Sequence, residues 1–297
     1  AEEERGPGHA PETADELRTD RGHSDRLRAD RGVRSHAPVS PTMPRWRLAV
    51  VALALVTTML AALVTPVLAG WGQRSRDYDG RLTFVRVRWR AGTDGKGRSS
   101  RGNNYWLHEF PTAEKNLMAV LRAITLVDAE TDGSLVLTLD DPQLFRYPIA
   151  VLWEPGYWIM SDEESQRLRE YLQKGGFLVI NDFELDQWDN FEAQMKRVWP
   201  GARWVKMGPG HPVFKTFFGI ERPDVPHAAF HHLVGLTPQY FGLFEDNDPS
   251  KRLIAIANYN TNLAEYWQIG SEGFFPVESA NNAFKLGVNY MVYGLTH

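Results

Sequence analysis

Apolar and polar positions fall into two periods along the chain, and both are clearest between Tyr147 and Asp182. An unbroken apolar run, Ile149 to Trp153, ends at Glu154-Pro155-Gly156; a charged amphipathic segment, a Gly pair and a second apolar run, Phe177 to Ile180, follow. Neither run shows the alternation of a half-exposed strand, so the pattern predicts two parallel strands buried on both faces and joined by a crossover helix. The helix start is marked by a capping box, Ser161 with Glu164 three residues later, and Asp162 and Glu163 put negative charge at the positive helix end. Leu168, Tyr171 and Leu172 form its apolar stripe, and Gly175 stands where a left-handed cap is expected.

The rest of the chain extends this pattern. Leu82 to Trp89 predicts a first strand, with Leu82, Phe84, Val85, Val87 and Trp89 set against Arg81, Thr83, Arg86 and Arg88. Thr112 is placed to cap a helix reaching about Thr125, and Leu135 to Leu139 reads as a strand broken by Asp140-Asp141-Pro142. A helix over Trp188 to Val198, a short strand over Arg203 to Met207, a strand over Leu253 to Ala257 and a closing helix over Asn281 to Leu295 follow. Gly208 to Gly219 reads as turns, and Arg222 to Gly242 as irregular and aromatic. Alternating strands and helices predict an α/β domain with a doubly wound, mostly parallel sheet.

The amino-terminal part differs in kind. Residues 1 to 42 hold few large apolar side chains and predict no packed core, so they read as a disordered or upstream mis-called segment. Met43, Arg45 and Arg47 then precede an uncharged apolar run of 17 residues, Leu48 to Val64, predicted to form one apolar helix. With Val67-Leu68-Ala69 before Gly70, residues 43 to 69 read as a signal peptide or membrane anchor, 70 to 81 as a linker and 82 to 297 as the α/β domain. The expected location is therefore the periplasm, or the inner membrane surface by way of residues 48 to 69.

Composition narrows the chemistry. The chain has no Cys, which removes every thiolate mechanism and every Cys metal ligand. Residues 1 to 47 carry nine basic and nine acidic side chains, so the net charge of −4 falls on the remainder and argues against nucleic acid as a partner.

Several segments together resemble an uncharacterised bacterial family of exported or membrane-anchored proteins. They are Phe110 to Leu117, Leu139 to Pro142 with Phe145 to Pro148, Leu172 to Asp182, His211 to Phe214, Asn258 to Trp267, and Gly287 to Asn289 with Tyr293 to His297. The resemblance spans about residues 82 to 297 and implies a flavodoxin-like fold of the type 1 glutamine amidotransferase superfamily. Amidotransferases of that superfamily use a Cys nucleophile on a strand-to-helix turn; here that turn is Glu154-Pro155-Gly156, so the glutaminase chemistry does not carry over.

In an open parallel sheet, ligands bind at the carboxyl ends of the strands. That edge is predicted to gather Arg90, His108, Glu154, Asp182, Glu184 and Asn258, with His211, His231 and His232 on later loops. Glu154, Asp182 and Glu184 suit an acid/base pair or hard-metal ligands, the alternative being helix capping and turn bonding. His211 offers a general base or a backbone-binding spacer, and the His231-His232 pair resembles part of a metal site although neighbouring side chains diverge. No metal site and no cofactor are expected. The Gly92 to Gly102 loop matches no phosphate-binding spacing and reads as a surface lid. Trp106, Trp153, Trp158 and Trp267 are placed either to stack on sugars or to fill the core. The sequence thus reads as an exported binding or interaction module of the bacterial cell envelope, with an unknown small-molecule or envelope ligand. A hydrolase acting on a carbohydrate or envelope ligand through Asp182, Glu154 and His211 is the alternative. A structural subunit with membrane-associated protein partners is the third reading.

Overall fold

The computed structural model describes residues 78–92, 104–228 and 235–297. The expected disordered segment, the apolar helix of residues 43 to 69, most of the linker, the Gly-rich lid and the His231-His232 pair lie outside the described residues. Among the described residues no helix is long and apolar enough to cross a membrane.

The nine strands among the described residues are β1 (Val85–Val87), β2 (Arg90–Ala91), β3 (Leu135–Leu137), β4 (Ile149–Trp153), β5 (Trp158–Ile159), β6 (Phe177–Phe183), β7 (Val205–Lys206), β8 (Gln239–Phe244) and β9 (Leu253–Tyr259). The five α-helices among the described residues are α1 (Thr112–Ile124), α2 (Asp162–Gln173), α3 (Gln187–Val198), α4 (Leu263–Ile269) and α5 (Val277–Thr296). Seven strands form one sheet in the order β3-β1-β4-β6-β9-β8-β7, and β2 pairs with β5 in a separate antiparallel ribbon. The first five strands of the large sheet run parallel, while β8 and β7 extend it antiparallel.

Both faces of the sheet are covered, as the unbroken apolar runs of β4 and β6 predict. Ile149, Val151, Phe177 and Val179 pack with Leu117 of α1, Trp267 of α4 and Leu286 of α5. Their alternates Ala150, Leu152, Leu178 and Ile180 pack with Leu168 of α2 and Phe191 of α3 on the other side. The capping box of α2 is present: Ser161 Oγ accepts from Glu164 N at 3.1 Å, and Glu164 Oε2 accepts from Ser161 N at 2.6 Å. Gly175 adopts φ +104° beyond its end, the left-handed turn anticipated there.

Four features differ from the sequence pattern. Arg86 does not join a polar side of β1 but is fully buried, ion-paired with the buried Glu114 of α1. Thr112 is the first helical residue of α1 and not its cap; the Ala113 amide is taken by the Glu109 carbonyl at 3.1 Å, so backbone does the capping. β8 begins inside the stretch that reads as irregular, Arg222 to Gly242, and runs two residues past it, because Gly242 and adjacent aromatics obscure its period. A Cβ at Gly242 would stand 2.6 Å from Leu253 Cδ1, so the glycine permits a close approach inside a strand. Finally, α4 spans only seven residues, too few for helical periodicity to stand out.

Candidate functional site

The order of the large sheet reverses between β1 and β4: β1 connects onward to β3 on one side, and the later parallel strands add on the other. The carboxyl ends of strands at such a point leave an open crevice between helices on opposite faces. Three acidic residues and a histidine meet there. His108 Nδ1 lies 2.8 Å from Glu154 Oε1, 2.9 Å from Asp182 Oδ2 and 3.2 Å from Glu109 Oε1. On the far side of Asp182, His227 Nε2 is 3.5 Å from Asp182 Oδ1 and 3.7 Å from Glu184 Oε2. Asp182 therefore presents one carboxylate oxygen to each imidazole.

Each side chain is held by a different local device. His108 and Glu109 follow a short turn at Tyr105–Leu107, whose backbone is tied down by Arg86: Nη1 donates to the carbonyls of Trp106 and His108, both at 2.7 Å. The guanidinium lies 3.7 Å from the centre of the Trp153 ring, so one buried cation packs between strand and loop. Glu154 follows β4 at φ +44°, its amide bonded to the Asn181 carbonyl at 3.0 Å. The next turn is anchored by Asn190 Nδ2, which donates to the carbonyls of Pro155 and Trp158 at 3.0 and 2.8 Å. Asp182 sits where the β6–β9 register shifts, between Ile180 and Phe183, and at φ +64°. Such a bulge re-aims a side chain out of the strand alternation. The segment carrying His227 is fastened through two carbonyls, Val225 to Thr261 Oγ1 at 2.6 Å and Pro226 to the Tyr266 hydroxyl at 2.8 Å.

Glu109, Glu154, Asp182, Leu185 and Asn260 all have left-handed backbones, and none is glycine. Each such residue costs of order 1 kcal/mol or more, so the strand-end region concentrates conformational strain.

The electrostatics are set by burial and by crowding of like charge. Burial and the neighbouring Asp182 raise the Glu109 carboxyl to about 8. The same two causes raise Glu184 to about 7. Burial would also raise Asp182, but the two imidazoles outweigh it and hold the carboxyl below its ordinary value. His108 loses solvation on burial, yet Asp182, Glu154 and Glu109 together carry it up to about 10. His227 is likewise raised, chiefly by Asp182 against its own burial. Glu265 of α4, pushed up by burial and Asp182, completes the acidic surround.

Of the residues predicted for the strand edge, His108, Glu154, Asp182 and Glu184 are brought together. His211 is not: it caps the turn at Pro212–Phe214, with Nδ1 accepting from Val213 N at 3.2 Å, and packs against Phe244 and Tyr293. Tyr293 in turn contacts Phe177, the first residue of β6, so His211 belongs to the opposite, amino-terminal end of the sheet. Asn258 lies inside β9 and is fully buried, donating to the Ile180 carbonyl at 2.9 Å and accepting from the Tyr290 hydroxyl at 2.8 Å; it joins sheet to α5. His232 is outside the described residues. Arg90 pairs with Glu164 of α2 at 3.3 Å. Trp106, Trp153, Trp158 and Trp267 are all buried and belong to the core, not to a sugar platform.

Glu109, His227 and Asn262 escape the sequence reading. Asn262 caps α4 and donates to Glu109 Oε1 at 2.8 Å, while Trp153 Nε1 donates to Glu109 Oε2 at 3.0 Å. Its spacing to Glu265, a side-chain cap three residues ahead of an acid, was the available signal for both α4 and this site residue. His227 carries no comparable signal.

Residues 87–295 match the family model described as Domain of unknown function (DUF4159). The chain belongs to this family. The matched region runs from the end of β1 through nearly all of α5, so the family's domain contains every residue of the Asp182 cluster. No curated protein matches the chain.

Proposed function

We propose that this chain is an exported domain of the bacterial cell envelope, and that its strand-end crevice hydrolyses a small polar ligand by acid–base chemistry. The carrying observation is the placement of Asp182 between two imidazoles and beside Glu184 at the reversal point of the sheet. Two carboxylates in one site with acidities driven apart are the arrangement in which one works as acid and the other as base. Glu184, raised to about 7, is the proton donor, and Asp182, kept ionised by His108 and His227, is the base that activates water. The substrate class is a carbohydrate or another envelope ligand. His211, at the other end of the sheet, takes no part.

The strand order supports a finer fold assignment. The parallel strands β3-β1-β4-β6-β9 follow the flavodoxin-like order, with the last strand in the fifth place, and this agrees with a type 1 glutamine amidotransferase-like scaffold. Without any Cys, the scaffold acts through carboxylates in place of a thiolate. The apolar run Leu48 to Val64 behind a basic flank supports export, with cleavage after Ala69 or anchoring by residues 48 to 69.

A second reading is favoured by how closed the site is. Glu109, Glu154 and Asp182 are each less than 10% exposed, so a binding module for a small ligand entering past His108 fits the same geometry. The two readings separate by assay. Glu184→Gln abolishes turnover of a panel of glycoside, ester and amide model substrates while leaving the melting temperature within a few degrees of wild type. Wild-type protein that turns over none of them but is stabilised by an envelope metabolite supports the binding module instead.

A further inference from the structure

The contacts around Asp182 exceed what ion pairing accommodates. An imidazole nitrogen carries at most one proton, yet three carboxylate oxygens from three separate segments lie within 3.2 Å of His108 Nδ1. Six side chains make up the cluster: His108, Glu109, Glu154, Asp182, Glu184 and His227. Four are acids, and the acids therefore outnumber the imidazoles.

The donor atoms fall into two sets that share one residue. His108, Glu154 and Asp182 form the first set, and Asp182, Glu184 and His227 the second; within each set the donor atoms lie within 4.8 Å of one another. Donors bound at about 2.1 Å to a common ion stand roughly 3.0 Å apart at right angles and somewhat farther apart in tetrahedral geometry. The separations of 2.8 and 2.9 Å in the first set and 3.5 and 3.7 Å in the second bracket that range. Asp182 Oδ2 belongs to the first set and Oδ1 to the second, which is how a carboxylate bridges a two-ion centre.

We infer that Asp182 bridges two divalent-cation positions, one completed by His108 and Glu154 and the other by Glu184 and His227. The inference rests on the reading that the strand-end crevice is the functional site, and it replaces the acid and base roles given to Glu184 and Asp182 above, because carboxylates that ligate ions neither donate a proton nor take one from water. Mixed imidazole and carboxylate donors favour a first-row transition ion such as Zn²⁺ or Mn²⁺ over Mg²⁺ or Ca²⁺, which prefer oxygen alone. The two positions differ in access. The His108 side chain is 36% exposed and leaves the first open to water and ligand, whereas the Asp182, Glu184 and His227 side chains close the second. Glu109 sits behind the first position, held by Asn262 and Trp153, with Oε1 3.2 Å from His108 Nδ1.

The test uses the full chain, stripped with chelator and then equilibrated with ZnCl₂ or MnCl₂, with MgCl₂ and CaCl₂ as controls. The expected result is two tightly held Zn²⁺ or Mn²⁺ ions per chain by elemental analysis, and a melting temperature that rises with either metal and hardly moves with Mg²⁺ or Ca²⁺. His108→Ala and His227→Ala each lower the stoichiometry to one, and Asp182→Asn weakens both sites at least 100-fold with circular dichroism unchanged. Should Asp182→Asn fail to fold, the pair of histidine variants and the visible spectrum of Co²⁺-loaded wild type report the same assignment. A folded wild type that retains no ion at micromolar metal overturns the inference, as does a stoichiometry of one unaffected by either histidine change. Turnover that survives chelation also overturns it and leaves the hydrolase reading standing; two bound ions without turnover sink the hydrolase reading and leave the metal centre standing.

Discussion

Arg86 donates from Nη1 to the carbonyl of His108 at 2.7 Å, so a fully buried guanidinium in the first strand fixes the loop that carries the most exposed residue of the site. The same side chain is ion-paired with buried Glu114 and lies over Trp153, linking β1, α1 and β4 in one contact set. Site geometry and core packing are therefore coupled through one residue.

Replacing Arg86 with Leu strands the Glu114 carboxylate in the core and frees two loop carbonyls. Removing one partner of a buried pair costs about 3 to 5 kcal/mol. Urea denaturation of Arg86→Leu is expected to show a loss in that range, and the double variant Arg86→Met with Glu114→Leu recovers most of it. Equal losses in the single and double variants would show that the charge pair itself is not the source.

The metal-free cluster ties stability to pH in one direction over a wide window. Glu109 and Glu184 are raised from 4.5 to about 8 and about 7, so the folded state retains protons that the unfolded chain has released, and their contribution is lost as pH climbs from 4.5 to 8. His108 is raised from 6.5 to about 10, so its contribution is complete below 6.5 and disappears as pH passes 10. Asp182, held below 3.8, acts oppositely, and its contribution is lost only in stronger acid. The melting temperature of chelator-stripped protein is thus expected to fall steadily from about pH 5 to pH 10, and His108→Gln flattens the arm above pH 6.5. A melting temperature that rises between pH 5 and 9 contradicts the assignment.

Leu185 holds φ +50° while the residue is 53% exposed, so it bears strain with little packing in return. A left-handed L-residue costs roughly 1 to 2 kcal/mol, and glycine gives back part of the gain in chain entropy. Leu185→Gly is expected to stabilise the protein by about 0.5 to 1 kcal/mol, measured by thermal denaturation. Its amide still reaches Asn260 Oδ1 at 3.2 Å, so the strand ends keep their connection.

Gly287 lets α5 approach α1 and α4. A Cβ there would stand 2.7 Å from Leu117 Cδ1 and 2.9 Å from Trp267. Alanine gains about 1 kcal/mol of helix propensity but overpacks the core at a cost of about 1 to 3 kcal/mol. Gly287→Ala should therefore lower the urea midpoint, by a net of about 1 kcal/mol. A midpoint above wild type would show that α5 shifts freely.

Much of the scaffold was legible along the chain because local rules and burial agree there. The unbroken apolar runs of β4 and β6 require two covered faces, and Ser161 with Glu164 starts α2 where the capping box says. Parallel topology then places Glu154 and Asp182 at the same edge, since each follows or ends a strand of one sheet. These inferences need only the period of the side chains and the rule that parallel strands share an edge.

What tertiary structure alone decided is which polar residues meet. Arg86 falls among the polar positions of β1 in the sequence and is buried, because Glu114, twenty-eight residues on, supplies its charge partner. His211 and His227 look alike in sequence, yet one caps a turn at the amino-terminal end of the sheet and the other faces Asp182. Glu109 and Asn262, 153 residues apart, bond at 2.8 Å. Such pairings depend on where the bulge in β6 aims Asp182 and on how α4 closes over the strand ends. Both are outcomes of packing at long sequence separation, which no local pattern records.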